Sequence, residues 1–347
     1  MRPRFRLDIG GTDVTDRISD RVLSIKVNDE AGQKSDTLDV SLDDRDNVLS
    51  IPEARAEMQI WLGYDDGDLT YMGRFTIDEV ALKSNPATMT IRGKASDSSP
   101  EFKASKSRSW HQQTIGEIVS TIAAEHDLTP GVHTSYEEKL IEHIDQSNES
   151  DGHFLTRLGK LYGAVAKPAD GRLLFIPEGQ GISTTGQTLS SAIVTQEEIS
   201  SLSATIKERG AYSGVVTRYR DKETNREVEV ETKEQWKSFL GEAPVFQDKK
   251  LYTSRDMAEQ AGRAELDRLR GGNVSIDFTM PGRPDIFAER PIKLEGVRSP
   301  LAGDWIVKTV SHTLGNSGLQ TKVSAGSKAA AGGTTSPAGG AENDTTA

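Results

Sequence analysis

The 347-residue chain contains no cysteine. Disulfides, zinc–thiolate sites and thiol catalysis are excluded by that absence, and a reducing compartment is compatible with it. Aromatic residues make up 6% of the chain and hydrophobic residues 35%, so its cores should be thin and its surface large. Such a composition suits barrels and assembly parts better than one compact enzyme core. No run of 18 apolar residues exists, so no segment is expected to span a membrane alone. The opening MRPRFRLDIGG has no apolar h-region, so no secretory signal is expected. Cations are outnumbered, 42 Lys and Arg against 53 Asp and Glu, a net charge of −11. A general nucleic-acid binder needs clustered cations to neutralise phosphates. An acidic wall can nevertheless line a passage through which DNA slides without sticking.

Catalytic signatures are also missing. There is no H-E-x-x-H, G-x-S-x-G, S-x-x-K or P-loop. Four of the six histidines, His126, His133, His143 and His153, lie close enough in sequence to suggest a pooled metal site. Their wide spacing reads as solvated surface. A glycosidase needs two positioned carboxylates, but with 53 acids a pair such as Glu117 and Glu149 carries no signal. Gly10-Gly11 and Gly271-Gly272 read as turn glycines, not phosphate cradles. The sequence therefore offers no catalytic, cofactor-binding or metal site, and the chain is expected not to be an enzyme.

What is present is periodicity. In the first 95 residues Phe5/Leu7/Ile9, Leu23/Ile25/Val27, Leu38/Val40/Leu42 and Met58/Ile60/Leu62 alternate with polar residues. That period predicts antiparallel strands with one wet face. Turn signals at Gly10-Gly11, Asp65-Asp66-Gly67 and Asn85-Pro86 separate them, and about six strands closing on themselves would remove most edges. Residues 1–95 are thus expected to form a β-barrel. Residues 96–113 are polar, contain Pro100, and read as a linker. The period then changes. Ile115, Ile118, Val119, Ile122 and Ala123 share one helical face behind a Thr114/Glu117 capping box, with an end near His126. A second helix carries Phe154, Leu155, Leu158, Leu161 and Tyr162, with Gly163 as its C′ residue. A hairpin turning at Asp170-Gly171 follows. Linker, helices and hairpin make a small α+β insert over 96–180. Ser147, Asn148, Glu149, Ser150, Asp151 and His153 crowd its second helix start, where small oxygen-bearing side chains cap free N–H groups and acids suit the helix dipole. They are expected to be a solvated cap.

Strands return after 200, interrupted by a helix near 254–270 with Ser254 as N-cap and Gly271 past its end. Residues 181–325 are expected to form a second barrel. The small, polar stretch 326–347 is expected to be a disordered tail. An echo links the two β regions. Shifting GRFTIDEV by 230 places Gly73 on Gly303, Phe75 on Trp305, Ile77 on Val307, Val80 on Val310 and Met89 on Leu319. Chance alternation or a duplicated barrel would each produce it.

The combination resembles a known family. DVTDRISDRVLSIKVNDEAGQKSDTLDVSLDDRD and IPEARAEMQIWLGY resemble the N-terminal region of the late control D proteins of contractile-tailed phages. TIGEIVSTIAAEHDL and QSNESDGHFLTRLGKLYGAVAKPADGRLLFIP resemble the middle of that family, and the resemblance covers about Phe5 to Ala325. It implies a baseplate hub similar to the hub part of VgrG spike proteins: mainly β, with two tail-tube-like antiparallel barrels and a small α+β insert. It further implies a homotrimer whose six barrels form a ring between the six-fold tail tube and the trimeric spike. The implied partners are the chain itself, the spike, the tube protein, and by extension the tape measure and other baseplate proteins. DNA would only pass through the lumen, and no membrane is involved. The implied location is the virion, in the tail baseplate or a phage-tail-like particle, after synthesis in the bacterial host cytoplasm. The polar loops 28–36 and 64–70 are candidates for tube or spike contact. The remaining alternative is a hub whose insert binds or hydrolyses peptidoglycan.

Overall fold

The computed structural model describes residues 2–31, 35–95, 100–169, 171–179, 181, 187, 189–206, 212–221, 224–233, 244–271, 274–299 and 301–327. It is mainly β. The first module contains β1 (Pro3–Ile9), β2 (Thr12–Asp13), a one-turn helix α1 (Thr15–Ile18), β3 (Val22–Glu30), β4 (Thr37–Asp43), β5 (Glu57–Tyr64), β6 (Thr70–Ser84) and β7 (Ala87–Ala95). The alternating residues behave as their period dictates: Leu38, Val40, Leu42, Met58, Ile60 and Leu62 all point into one core.

The insert contains β8 (Ser105–Thr114), α2 (Ile115–Glu125), β9 (Thr129–Val132), a one-turn helix α3 (Thr134–Glu137), β10 (Leu140–Ser150), α4 (Asp151–Tyr162), β11 (Ala164–Ala169) and β12 (Arg172–Pro177). Thr114 and Glu117 form the reciprocal capping box, and Gly163 ends α4 in the left-handed conformation at φ 65°. Of the stretch expected to be a linker, residues 105–113 belong to strand β8, paired antiparallel with β10, and 96–99 lie outside the described residues. The strand escapes an apolar pattern because its inward residues include Lys106 and Arg108.

The rest contains β13 (Ala192–Thr195), β14 (Ser201–Ile206), β15 (Gly214–Arg220), β16 (Glu227–Lys233), β17 (Val245–Tyr252), α5 (Arg255–Gly271), β18 (Val274–Pro281), β19 (Pro291–Glu295), β20 (Gly303–Gly315) and β21 (Gly318–Ser327). Ser254 caps α5, its hydroxyl accepting from Met257 N at 3.3 Å, while Gly271 is the helix's last residue rather than lying beyond it. The stretch expected to be one barrel is divided. β16, β15 and β17 form their own three-stranded sheet, against which α5 packs, while β13, β14 and β18–β21 join the large sheet. Residues 326 and 327 of the expected tail complete β21, and 328–347 lie outside the described residues.

The large sheet reveals a repeat. In space its first half runs β3-β4-β7-β6-β5-β1, and its second half runs β14-β18-β21-β20-β19-β13. These are the same order with the same chain sequence of strands. Each half has its own core, and α1 of the first occupies the place of a 3-10 turn, Gln196–Glu198, in the second. The echo from Gly73 to Val80 lies inside this repeat, whereas Met89 pairs with Leu82 and so matches Thr321, the partner of His312, rather than Leu319. Gly73 and Gly303 have φ of 130° and 132°. The β6–β7 ladder slips between Ile77 and Glu79, and the β20–β21 ladder between Val307 and Thr309, the positions matched by the shift. A bulge conserved to the residue is a built feature of a sheet, not a product of alternation. One pair departs from the pattern: β13 pairs parallel with β19, whereas β1 pairs antiparallel with β5.

The halves are hydrogen-bonded to each other. β20 pairs antiparallel with β3, from Thr309 opposite Glu30 to Gly315 opposite Ser24. The expected closure of the first six strands would need β3 to meet β1. Among the described residues the second edge of β3 is taken by β20 instead, so the halves share one 13-stranded sheet.

Candidate functional site: seam, junction and insert brace

Three places carry concentrated polar or geometric features. The first is the β3–β20 seam. Leu314 and Leu319, at the end of the second module's hairpin, pack into the first module's core, and Tyr64 Oη donates to Gly282 O at 3.2 Å. His312 is fully buried in the seam, with Nδ1 2.9 Å from Thr321 Oγ1 and Nε2 3.0 Å from Ile286 O. Burial pushes its pKa down, because the charged form loses water. This histidine satisfies a core.

The second place is the junction at one end of the seam, where both modules meet the insert. Ala288 N donates to Asp29 Oδ2 at 2.8 Å, Glu30 N to Asp36 Oδ1 at 3.0 Å, and Thr309 Oγ1 to Glu30 Oε2 at 3.1 Å. Lys167 Nζ reaches Glu30 O at 3.3 Å, and Gly179 N donates to Glu289 Oε2 at 3.0 Å. Burial, with Asp29 beside it, raises the Asp36 carboxyl to about 6. Burial, only partly offset by the Gly179 N–H, raises Glu289 to about 7. Of the candidate loop 28–36, residues 28–30 belong to β3 and 32–34 lie outside the described residues. The loop 64–70 is the turn between β5 and β6.

The third place is the insert, where the histidines and the polar helix start were weighed. Ser150 caps α4 as expected, its hydroxyl accepting from His153 N at 3.3 Å. Asp151 does not belong to a solvated cap: it is fully buried. It accepts from Lys106 Nζ at 2.6 Å, Arg108 Nη2 at 2.6 Å and Gln146 Nε2 at 2.9 Å, and lies 2.8 Å from His126 Nε2. Burial alone would raise its pKa, but these partners outweigh burial and hold it below the usual range. Glu125 bonds the same Lys106 at 2.7 Å. Glu125, His126 and Asp151 thus bring ligand atoms within 4.8 Å of one another. Two cations already face those carboxylates, so the donor set makes an ion-paired brace between β8, β10, α2 and α4. Lys106 and Arg108, two apart on one strand face, were the available signal.

The other weighed residues are scattered. His133 caps α3, His153 is exposed, and His143 stacks on His111 across the β8–β10 ladder with ring centroids 4.5 Å apart. Glu117 is spent in the capping box, and Glu149 holds Arg157 at 2.7 Å. The structure brings no pair of them together as acid and base.

On the polar face of the large sheet, Arg92 lies 2.8 Å from Glu79 and 3.4 Å from Asp39.

Comparison with known proteins accords with this reading. The model of the family described as phage tail baseplate hub (GPD) matches residues 53–318. The "Probable baseplate hub protein" of Escherichia phage 186 is 31% identical over 358 residues, covering 92% of each chain. In fold, the chain is similar to the 43 kDa tail protein of prophage MuSo2 from Shewanella oneidensis, with TM-score 0.69, 13% identity, and coverage of 93% of this chain and 98% of that one. It is also similar to the E. coli c3393 protein, a component of the type VI secretion system with structural similarity to T4 tail proteins gp27 and gp5 (TM-score 0.57, 12% identity, coverage of 94% and 76%). By the extent of the family match and the identity to its curated relative, the chain belongs to the phage tail baseplate hub family, structural components of the virion tail.

Proposed function

We propose that three copies of this chain form a ring of six β modules that joins a six-fold tail tube to a trimeric spike. The carrying observation is the repeat: two modules of one strand order in one chain, hydrogen-bonded edge to edge. Three protomers, each with two similar but unequal modules, present six near-equivalent surfaces to the tube and three repeats of the pair to the spike. The similarity of the fold to a secretion-system component likened to tail proteins supports the same reading. Tape measure and other baseplate proteins would be further neighbours.

DNA is passed, not bound. With Arg92 held by Glu79 and Asp39, a polar sheet face turned to the lumen would offer few free cations, and phosphate binding depends on free cations. Light scattering of the full chain, alone and with its spike protein, tests the ring, and co-purification with tube and spike proteins tests the junction. A trimer that captures both is expected. A chain that stays monomeric with both partners present would overturn the proposal.

A further inference from the structure

The seam inside the chain has an unfilled counterpart on its outside. Through the repeat, β20 corresponds to β6 and β3 to β14. The 230 shift places Thr309–Leu314 on Glu79–Ser84. Glu79 pairs with Arg92 and Thr309 with Ser324, so following the ladders β3–β4–β7 and β14–β18–β21 places Ser24 on Ser201, Ile25 on Leu202, Lys26 on Ser203, Val27 on Ala204 and Asn28 on Thr205.

The two strands that would meet are both open. β5 covers β6 only as far as Thr76, so over Glu79–Ser84 β6 pairs with β7 alone among the described residues. Among the described residues β14 pairs with β18 alone. Side chains report the same vacancy. Leu82 is 54% exposed, whereas His312 in the matching slot is 0% exposed. Ala204 and Thr205 are exposed, whereas their counterparts Val27 and Asn28 are buried and half-buried. A free strand edge carrying a bare leucine is a template for another chain.

We infer that Ala81–Ser84 of one copy pairs antiparallel with Leu202–Thr205 of a second copy of this chain. The register is Ala81 opposite Thr205, Leu82 opposite Ala204, Lys83 opposite Ser203 and Ser84 opposite Leu202. It reproduces the internal pairing of Ser311 with Asn28 and of Thr313 with Lys26. Val80 packs against the first module's core and Leu202 against the second's, so the pairing would run one apolar layer from copy to copy. Leu82 would be buried against Ala204. Internal and external seams then alternate around a head-to-tail ring, the heterologous contact that closes when its rotation does. The inference rests on the ring reading and adds its joint.

The cysteine-free chain makes the test direct. Residues directly opposite in an antiparallel pair have Cβ atoms about 4.5–5.5 Å apart, near enough for a disulfide with slight adjustment. Full-length Leu82→Cys/Ala204→Cys and Ala81→Cys/Thr205→Cys sample both alternating pair types. Under mild oxidation either should give a ladder of covalent multimers ending at three chains on a denaturing gel. Leu82→Cys mixed with Ala204→Cys should stop at two chains. The misregistered Leu82→Cys/Ser201→Cys should give none. Leu82→Glu should weaken assembly by at least roughly tenfold, the change equivalent to about 1.4 kcal/mol, with the folded chain intact by circular dichroism. Light scattering on the same samples separates the outcomes. An oligomer in which neither registered pair cross-links, or in which the misregistered pair does so equally, overturns the joint and leaves the ring. A chain monomeric at every concentration overturns the ring, and the joint with it.

Discussion

The hairpins β6–β7 and β20–β21 share a glycine at φ near 130° and a bulge at matched residues, yet they end differently. The second lies against β3, with Val310, His312 and Leu314 all buried. The first stands open, with Leu82, Lys83 and Ser84 exposed. One local pattern thus supports two levels of burial. At a sheet edge, burial is assigned by the neighbouring strand, and the internal seam shows what that neighbour does when present. The second hairpin has adapted to permanent cover: His312 bonds both Thr321 and Ile286 O, so its buried ring carries no unpaired nitrogen.

The strongest challenge to the equivalence is to empty each core at the matched aromatic. Phe75 and Trp305 are 1% and 5% exposed, in the two separate cores. Truncating either to Ala should cost about 3–5 kcal/mol in urea unfolding. Similar losses at both sites are expected, with Trp305 also forfeiting its bond to Leu301 O. A negligible loss at one would show that the matched positions do not do matched work.

The matched edge residues should diverge. His312→Ala leaves Thr321 and the Ile286 carbonyl without their buried partner, which should cost about 1–3 kcal/mol. Leu82→Ala in the monomeric chain should stay within about 0.5 kcal/mol, as for other exposed positions. Equal costs would mean that Leu82 is already covered and the first edge is not open.

The matched glycines offer a finer test. A side chain at positive φ is strained at either position. A Cβ at Gly73 would also meet the Phe75 ring at 3.3 Å, while one at Gly303 meets nothing within 4 Å. Gly73→Ala should therefore destabilise more than Gly303→Ala, by about 1 kcal/mol or less, read as a difference in urea midpoints.

Sequence periodicity carried the strands of the first module because Leu38, Val40 and Leu42 obey a single rule, apolar inward. It carried α2 and α4 because Thr114, Glu117 and Gly163 act within one turn of the chain. It failed where burial is polar. Lys106 and Arg108 point inward to reach Asp151, so β8 read as a linker and Asp151 as a solvated cap. The division of residues 181–325 was equally hidden, since β16 alternates like the sheet-forming strands elsewhere and nothing local assigns it to a separate sheet. The seam was beyond reach for another reason: Thr309 and Glu30 meet across 279 positions, and no local pattern encodes the partner.

A pH-dependent contrast separates one more matched pair, Arg55 and Glu289. Both sit at φ 65°, and in each module the next residue's carbonyl accepts from the matched strand: Ala56 O from Ile77 N, and Arg290 O from Val307 N. In the open module the slot holds an exposed arginine. At the junction it holds a carboxyl that burial raises from 4.5 to about 7, with Glu178 and Asp29 adding repulsion and Lys167 opposing it. A raised folded-state pKa means that the native state binds the proton more tightly than the unfolded chain does. Glu289 therefore contributes its full stability below pH 4.5 and loses it as pH rises toward about 7. Glu289→Gln keeps the shape and removes the proton. The stability of the parent relative to this variant should fall between those pH values and level off above them, while Arg55→Gln should leave the pH profile unchanged. If the Glu289→Gln difference is flat across that window, the carboxyl does not hold a proton at the junction, and the contrast between the two slots is one of position alone.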